Sequence, residues 1–276
     1  MRPVRELVRL LLPVACPCGE PDVRWCARCA GLLAGPPVRV EAGAPRLDRM
    51  DGVAPVPVWA LTAYTGPVRD VVVHWKDRER ADLDRLLAPA MRRAARWIGR
   101  LLGDHDLDDL RGHLVVAVVP VPSTAAARRT RGREPVAVLA RAVARGLRDA
   151  GLPARVVPAL ARRGRARDQV GLGARARGRN LTGSVRMTRR GRRTLGHRAP
   201  CVLVDDVLTT GATLAAVERA LERHGHAVLG ATVLAATPAP DGAGRARRAP
   251  RQAAPEVARG SGAEPESVTE NCQVVH

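Results

Sequence analysis

The 276-residue chain has no phenylalanine and one tyrosine, Tyr64, so that with four tryptophans its aromatic content is 2%. Proteins that grip single-stranded nucleic acid stack its bases on aromatic side chains. The most basic segment here, residues 161–182, contains none, which argues against stacking recognition in that segment and leaves only electrostatic contact with a polyanion. Long apolar runs are also missing. No stretch approaches the ~20 residues of a membrane-spanning helix. The apolar run Leu10–Ala15 is interrupted on its N-terminal side by Arg5, Glu6 and Arg9 and is shorter than the h-region of about 7 to 15 residues in a secretory signal. The expectation is a cytoplasmic protein without membrane contact. A G-x-x-x-x-G-K-[ST] run is absent, so a P-loop is not supported. Lysine is almost absent: of 46 basic residues only Lys76 is one.

What is present is arginine. It gives a formal net charge of +19 and a pI near 11.5, which makes nucleotides, pyrophosphate or nucleic acid plausible partners. Arginine, alanine and glycine are abundant throughout, so a coding bias explains the charge equally well. Apolar residues make up 46% of the chain, enough for one substantial domain with a small accessory segment. Six cysteines in a reducing compartment point to metal binding or burial before disulfides. Cys16, Cys18, Cys26 and Cys29 form C-x-C-x7-C-x2-C within residues 1–50, a set of thiolates able to close a tetrahedral zinc site. Only Pro17 separates the first pair, where zinc knuckles place two to four residues, and a loop with reduced thiols is the alternative.

From Val53 the pattern becomes globular. Residues 68–76 and 81–102 read as helices, the second with Leu83, Leu86, Leu87, Ala90, Ala94, Ile98 and Leu101 on one face and Pro89 as a kink. Residues 114–119 form a continuous valine-rich run, the mark of a strand buried on both faces, and end in P-V-P-S-T. Pro135 suits a helix start, with an apolar stripe closed by Gly151. Residues 153–157 and 227–235 read as further strands. Alternating strand and helix predicts a parallel sheet with helices on its faces. The acidic run 104–110 reads as a solvated connection, 161–182 as a mobile basic loop with seven arginines, and residues 239–276 as a disordered tail.

Residues 201–214 read C-V-L-V-D-D-V-L-T-T-G-A-T-L. The run 201–204 is expected to be a strand, Asp205 and Asp206 to open the loop, and Leu214, Val217 and Leu221 to mark a helix ending near Gly225. Carboxylates accept hydrogen bonds from vicinal hydroxyls, while turn amides and threonine hydroxyls donate to phosphate. Gly211 would let a backbone approach closely. The pattern therefore suits a sugar phosphate.

This run resembles the phosphoribosyl-pyrophosphate (PRPP) signature of type I phosphoribosyltransferases, specifically the ComF family. Also in family order are the cysteine knuckle, A-Y-T-G-P-V-R at 63–69 with Lys76, V-V-P-V-P at 118–122, Arg131-Gly132 and D-Q-V-G-L-G…R-G-R-N-L at 168–181. The resemblance implies an α/β fold, a five-stranded parallel sheet with a small hood at about 53–110, inside a phosphoribosyltransferase domain spanning 51–238. It implies that Asp205 and Asp206 bind the ribose hydroxyls of PRPP. Leu208, Thr209, Thr210, Gly211, Ala212 and Thr213 would cradle its 5′ phosphate, and Val121, Pro122, Ser123 and Thr124 would face pyrophosphate bridged by Mg²⁺. Transfer would go to an unidentified nitrogen acceptor. Relatives linked to DNA uptake make an accessory role beside single-stranded DNA or a helicase the alternative. Lys76, kept as lysine in an arginine-rich chain, suits a contact to pyrophosphate that needs a compact ammonium, with chance retention as the alternative. The sequence departs from the family after Gly132, where Arg133, Glu134 and Pro135 replace an aromatic, Asn and Gln. Thr209 also stands where purine-salvage members carry an aspartate base.

Overall fold

Valine and leucine alternating between two faces build the centre of the molecule. In the computed structural model, which describes residues 14–49, 51–78, 80–104, 115–162 and 185–239, strand β3 (Val116–Pro120) turns Val116 and Val118 to one apolar cluster and Ala117 and Val119 to another. Strand β7 (Cys201–Leu208) does the same, with Val202 and Val204 on the first side and Cys201 and Leu203 on the second. Such two-sided burial needs helices above and below the sheet. Five strands run parallel in the order β2 (Val58–Ala63), β8 (Val228–Ala236), β7, β3 and β4 (Ala154–Val156), and a short β1 (Val38–Arg39) adds antiparallel to β2 at the edge.

The first face is covered by α1 (Ala27–Gly31), α2 (Gly66–Asp77), α3 (Asp84–Asp104) and α5 (Pro135–Asp149). The second carries α6 (Arg189–Leu195), α7 (Ala212–Glu222) and a separate antiparallel pair, β5 (Leu160–Arg162) with β6 (Val185–Met187). A seven-residue helix, α4 (Ala125–Arg131), bridges β3 to α5 and ends at Gly132, whose φ of +61° takes the left-handed conformation that glycine adopts without strain.

The expected alternation of strand and helix holds, and α3 runs through Pro89 without a break. The described residues of the stretch 53–110, expected as a hood, belong to the main body instead: β2 is an inner strand of the main sheet, and α2 and α3 pack on that sheet's first face. Its apolar stripe on α3 is broad enough to demand burial against a sheet and α5, which a peripheral cap would not supply. Residues 105–110 of the acidic run, 163–182 of the basic loop and 240–276 of the tail lie outside the described residues.

Residues 14–49 engage both faces. Cys16, Cys29 and Leu33 join the first cluster, the chain crosses the sheet edge at β1, and Ala44 and Leu47 are buried in the second. Arg49 then ties this segment down, its guanidinium meeting Glu218 at 3.2 Å, Glu222 at 2.6 Å and Asp51 at 2.7 Å.

Helices α3 and α5 cross closely at Gly146, where an added Cβ would stand 2.2 Å from the Arg92 carbonyl oxygen. Gly146→Ala must push the two helices apart, and urea unfolding should show a loss of about 1–3 kcal/mol.

Candidate functional site

Strand β7 is longer than its apolar run suggests, because β8 offers partners beyond it: Asp205 pairs with Val233, Val207 with Ala235 and Leu208 with Ala236. Asp205 and Asp206 thus lie within the strand near its carboxyl end, instead of opening a loop. Each carboxylate accepts the next backbone N–H, Asp205 Oδ1 from Asp206 at 2.9 Å and Asp206 Oδ1 from Val207 at 2.7 Å, which fixes their orientation.

Asp206 continues the face of Val202 and Val204 and there meets α2. Its Oδ2 lies 2.6 Å from Lys76 Nζ, and its side chain is 7% exposed. Burial alone would lower the Lys76 ammonium, but the Asp206 carboxylate, helped by Asp205, outweighs it and holds the proton above the usual lysine range. Asp205 keeps part of its surface open yet lies deep in the body of the protein. Burial first, and the Asp206 charge second, push its carboxyl well above the usual range, against the Asp206 N–H and Lys76. The lysine expected to serve pyrophosphate is therefore the direct partner of the carboxylate expected to serve ribose.

Helix α2 is held so that Lys76 can make this contact. Asp77 accepts two bonds from Arg131, at 2.8 and 3.1 Å, and Trp75, fully buried, donates to Asp84 Oδ1 at 2.6 Å. Arg133 bonds the same Asp84 oxygen and lies over the Trp75 ring at 5.8 Å. The departure after Gly132 therefore has a structural use: Arg133 locks α4 and α5 to α2. Asp77 and Asp84 gave no signal in sequence, and Arg133 showed only as a departure from the family pattern, because arginines and acids at unrelated spacings carry no period.

Beyond Leu208 the turn exposes Thr209 and Thr210, and Gly211 begins α7 with φ +82° and no side-chain cap. The first-turn amides of α7 face the turn with the helix dipole behind them, an arrangement that suits phosphate. Ala212 and Thr213 are half-buried in that turn. The close approach expected at Gly211 comes from the protein itself, since an added Cβ would meet Leu47 Cγ at 2.5 Å and Ala44 Cβ at 3.2 Å. Arg46 N–H also donates to the Thr210 carbonyl at 2.9 Å. The segment 44–47 therefore underlies the turn, a role no motif announced.

The loop after β3 sits beside β7. Val121 is buried and its N–H donates to the Val204 carbonyl at 2.9 Å, so it extends the sheet. Thr124 caps α4 by accepting from Ala127 N–H at 3.2 Å, and the Ser123 carbonyl accepts from Arg128 at 3.0 Å. Pro122 and Ser123 are half-buried between them. Thr124 also bridges Arg162 of β5, which brings the start of the basic segment to this loop.

The four N-terminal cysteines converge. Cys16–Cys18, Cys16–Cys29 and Cys18–Cys26 Sγ separations are 3.4, 3.6 and 3.6 Å, and all four sulfurs lie within 4.8 Å of one another. A tetrahedron with Zn–S near 2.3 Å has edges of about 3.8 Å, so the short Cys16–Cys18 spacing does not prevent closure, and the cluster can hold a metal such as zinc. The Cys29 N–H lowers the Cys26 thiol to about 7, while burial raises Cys16 and Cys29. Arg80, just past α2, donates to the carbonyls of Ala15 at 2.9 Å and Arg24 at 3.0 Å, fastening this cluster beside the helix that carries Lys76.

Strand β7 thus carries a half-buried Asp205 and a buried Asp206 near its carboxyl end, ahead of a helix start with no side-chain cap. Residues 138–253 match the phosphoribosyl transferase domain. No curated protein matches the chain. The phosphoribosyl transferase match takes in Asp205, Asp206 and the whole turn, and supports the type I superfamily for the fold. Lys76, the 121–124 loop and the four N-terminal cysteines lie upstream of it. Among the described residues no helix is long and apolar enough to cross a membrane.

Two measurements follow from this site. Protein purified under reducing conditions should carry about one zinc ion per chain by elemental analysis, and Cys29→Ser should lose it and melt at lower temperature; zinc-free wild type would remove the metal assignment. Because Lys76 holds its proton more tightly folded than unfolded, the pair's contribution is present at neutral pH and is lost as pH rises from the usual value of 10.5 through the folded one. Unfolding of wild type against Lys76→Met should thus differ steadily between about pH 7 and 9 and converge above about pH 10.5.

Proposed function

We propose that the chain is a ComF-like phosphoribosyltransferase: it binds PRPP with Mg²⁺ and transfers the phosphoribosyl group to a nitrogen acceptor, releasing pyrophosphate. The observation that carries this is the pair of a half-buried Asp205 and a buried Asp206, delivered by β7 towards a turn whose helix start has no side-chain cap. The ribose 2′ and 3′ hydroxyls would donate to the two carboxylates. Thr209 to Thr213 would bind the 5′ phosphate through backbone N–H groups and hydroxyls. Carboxylate oxygens suit Mg²⁺, a hard cation that prefers oxygen and retains waters. When bound, it would neutralise charge developing on the pyrophosphate oxygens. The bond from ribose C1 to pyrophosphate breaks, a bond from C1 to the acceptor nitrogen forms, and pyrophosphate leaves with the electron pair. The loop 121–124, which Thr124 joins to Arg162 of β5, would face that leaving group and help to stabilise its charge.

A second reading is favoured by one residue. Thr209, exposed in the turn, holds no carboxylate to take a proton from the acceptor, so a protein that binds PRPP without turnover, as an accessory to DNA uptake, fits the same residues. Pyrophosphate release measured over candidate nitrogen bases separates the two.

Asp206→Asn should abolish Mg²⁺-dependent PRPP binding in calorimetry while the far-ultraviolet dichroism stays that of wild type. Unchanged affinity would defeat the assignment.

A further inference from the structure

The pairing of the chain's single lysine with Asp206 goes beyond ligand capture. Asp206 is 5% exposed, and a carboxylate so buried needs a compensating charge at all times, not only when ligand is present. Lys76 supplies it at 2.6 Å on Oδ2. That oxygen is also one a divalent cation would need, and two cations cannot share it without strong repulsion at such distances. The choice of residue fits a contact that must be given up. An arginine would grip the carboxylate through two parallel bonds, whereas a lysine offers a point charge on a flexible stem that can turn to another anion. The helix itself is held, by Arg131 on Asp77, Trp75 on Asp84 and Arg80 on the cysteine segment, so motion would be confined to the lysine side chain. The loop 121–124 and the phosphate turn lie at the carboxyl ends of the neighbouring strands β3 and β7, where phosphate oxygens would compete for the ammonium.

We propose that Lys76 is the resident counter-cation of the carboxylate pair: it closes Asp206 to free divalent metal, so that the metal enters only together with a phosphate-bearing ligand that draws the ammonium away. This rests on the reading of Asp205 and Asp206 as the ligand-binding pair, and it adds an order of binding to that reading. Free Mg²⁺ is refused, and the complex of metal and diphosphate is accepted.

The test uses Mn²⁺ alone, without any phosphate compound, titrated into the full-length protein at about pH 8, where a lysine is protonated, and followed by electron paramagnetic resonance of the free ion. Wild type should show no saturable site at the carboxylate pair. Lys76→Met should gain one, at least about tenfold tighter than anything in wild type, because the competing charge is gone; the gain should vanish in Lys76→Met/Asp206→Asn. Equal Mn²⁺ binding by wild type and a folded Lys76→Met would overturn the proposal. So would tight binding by wild type that Asp206→Asn removes, a result that needs no Lys76 variant to fold. PRPP takes no part in this titration, so a protein that never binds PRPP would fail the functional reading while leaving the role of Lys76 to be decided by Mn²⁺.

Discussion

A carboxylate placed inside a sheet has to be neutralised by the protein that buries it. In this chain Asp206 is that carboxylate, Lys76 is its partner, and the surroundings can be followed outward from the pair. Lys76 must be presented by a helix on the correct face of β7, so α2 packs on the face to which Val202 and Val204 already point. The helix must not drift, so its last turn is tied to α4, α3 and the cysteine segment through Asp77, Trp75 and Arg80. Each tie is a modest interaction alone, but together they bear on the position of one ammonium.

The opposite face obeys a different requirement. There the turn after β7 must stay open to solvent on its outer side while being firm beneath. Thr209 and Thr210 are exposed, and Ala44 and Leu47 fill the space under Gly211, a position with no room for a side chain. Rigid backing lets backbone amides keep their aim without a ligand to hold them, which is how a helix start serves as an anion site at little reorganisation cost.

Much of this was legible in the sequence where the signal was periodic or contiguous. The valine run of β3, the stripe of α3 and the strand–turn–helix of residues 201–222 follow from patterns of period 2 and 3.6. The four cysteines were legible as a set, and their convergence was not decided by spacing, since only the fold shows that Cys16 and Cys18 can share one tetrahedron. What escaped was of two kinds. The extent of β7 depended on the length of β8, a non-local fact, and β2, expected in the hood at 53–110, joined the main sheet because its partner lies 173 residues away, Val58 beside Ala231. Single contacts such as Arg80 with Ala15, or Leu47 with Gly211, have no local signature at all, and in so arginine-rich a chain one more arginine cannot be told from its neighbours.

The strand order carries a last consequence. The segment that matches the phosphoribosyl transferase domain begins inside α5 and supplies β7 and β8, yet in the sheet these two are flanked by β2 on one side and β3 on the other, both from upstream. Cut out by itself, that segment would present two adjacent strands with their outer backbone groups unpaired and the first face stripped of α2 and α3, a template for association between chains. The recognisable part of this protein is thus not a separable part: the upstream half acts as its selvage, closing the weave on both sides of the strand that bears the aspartates.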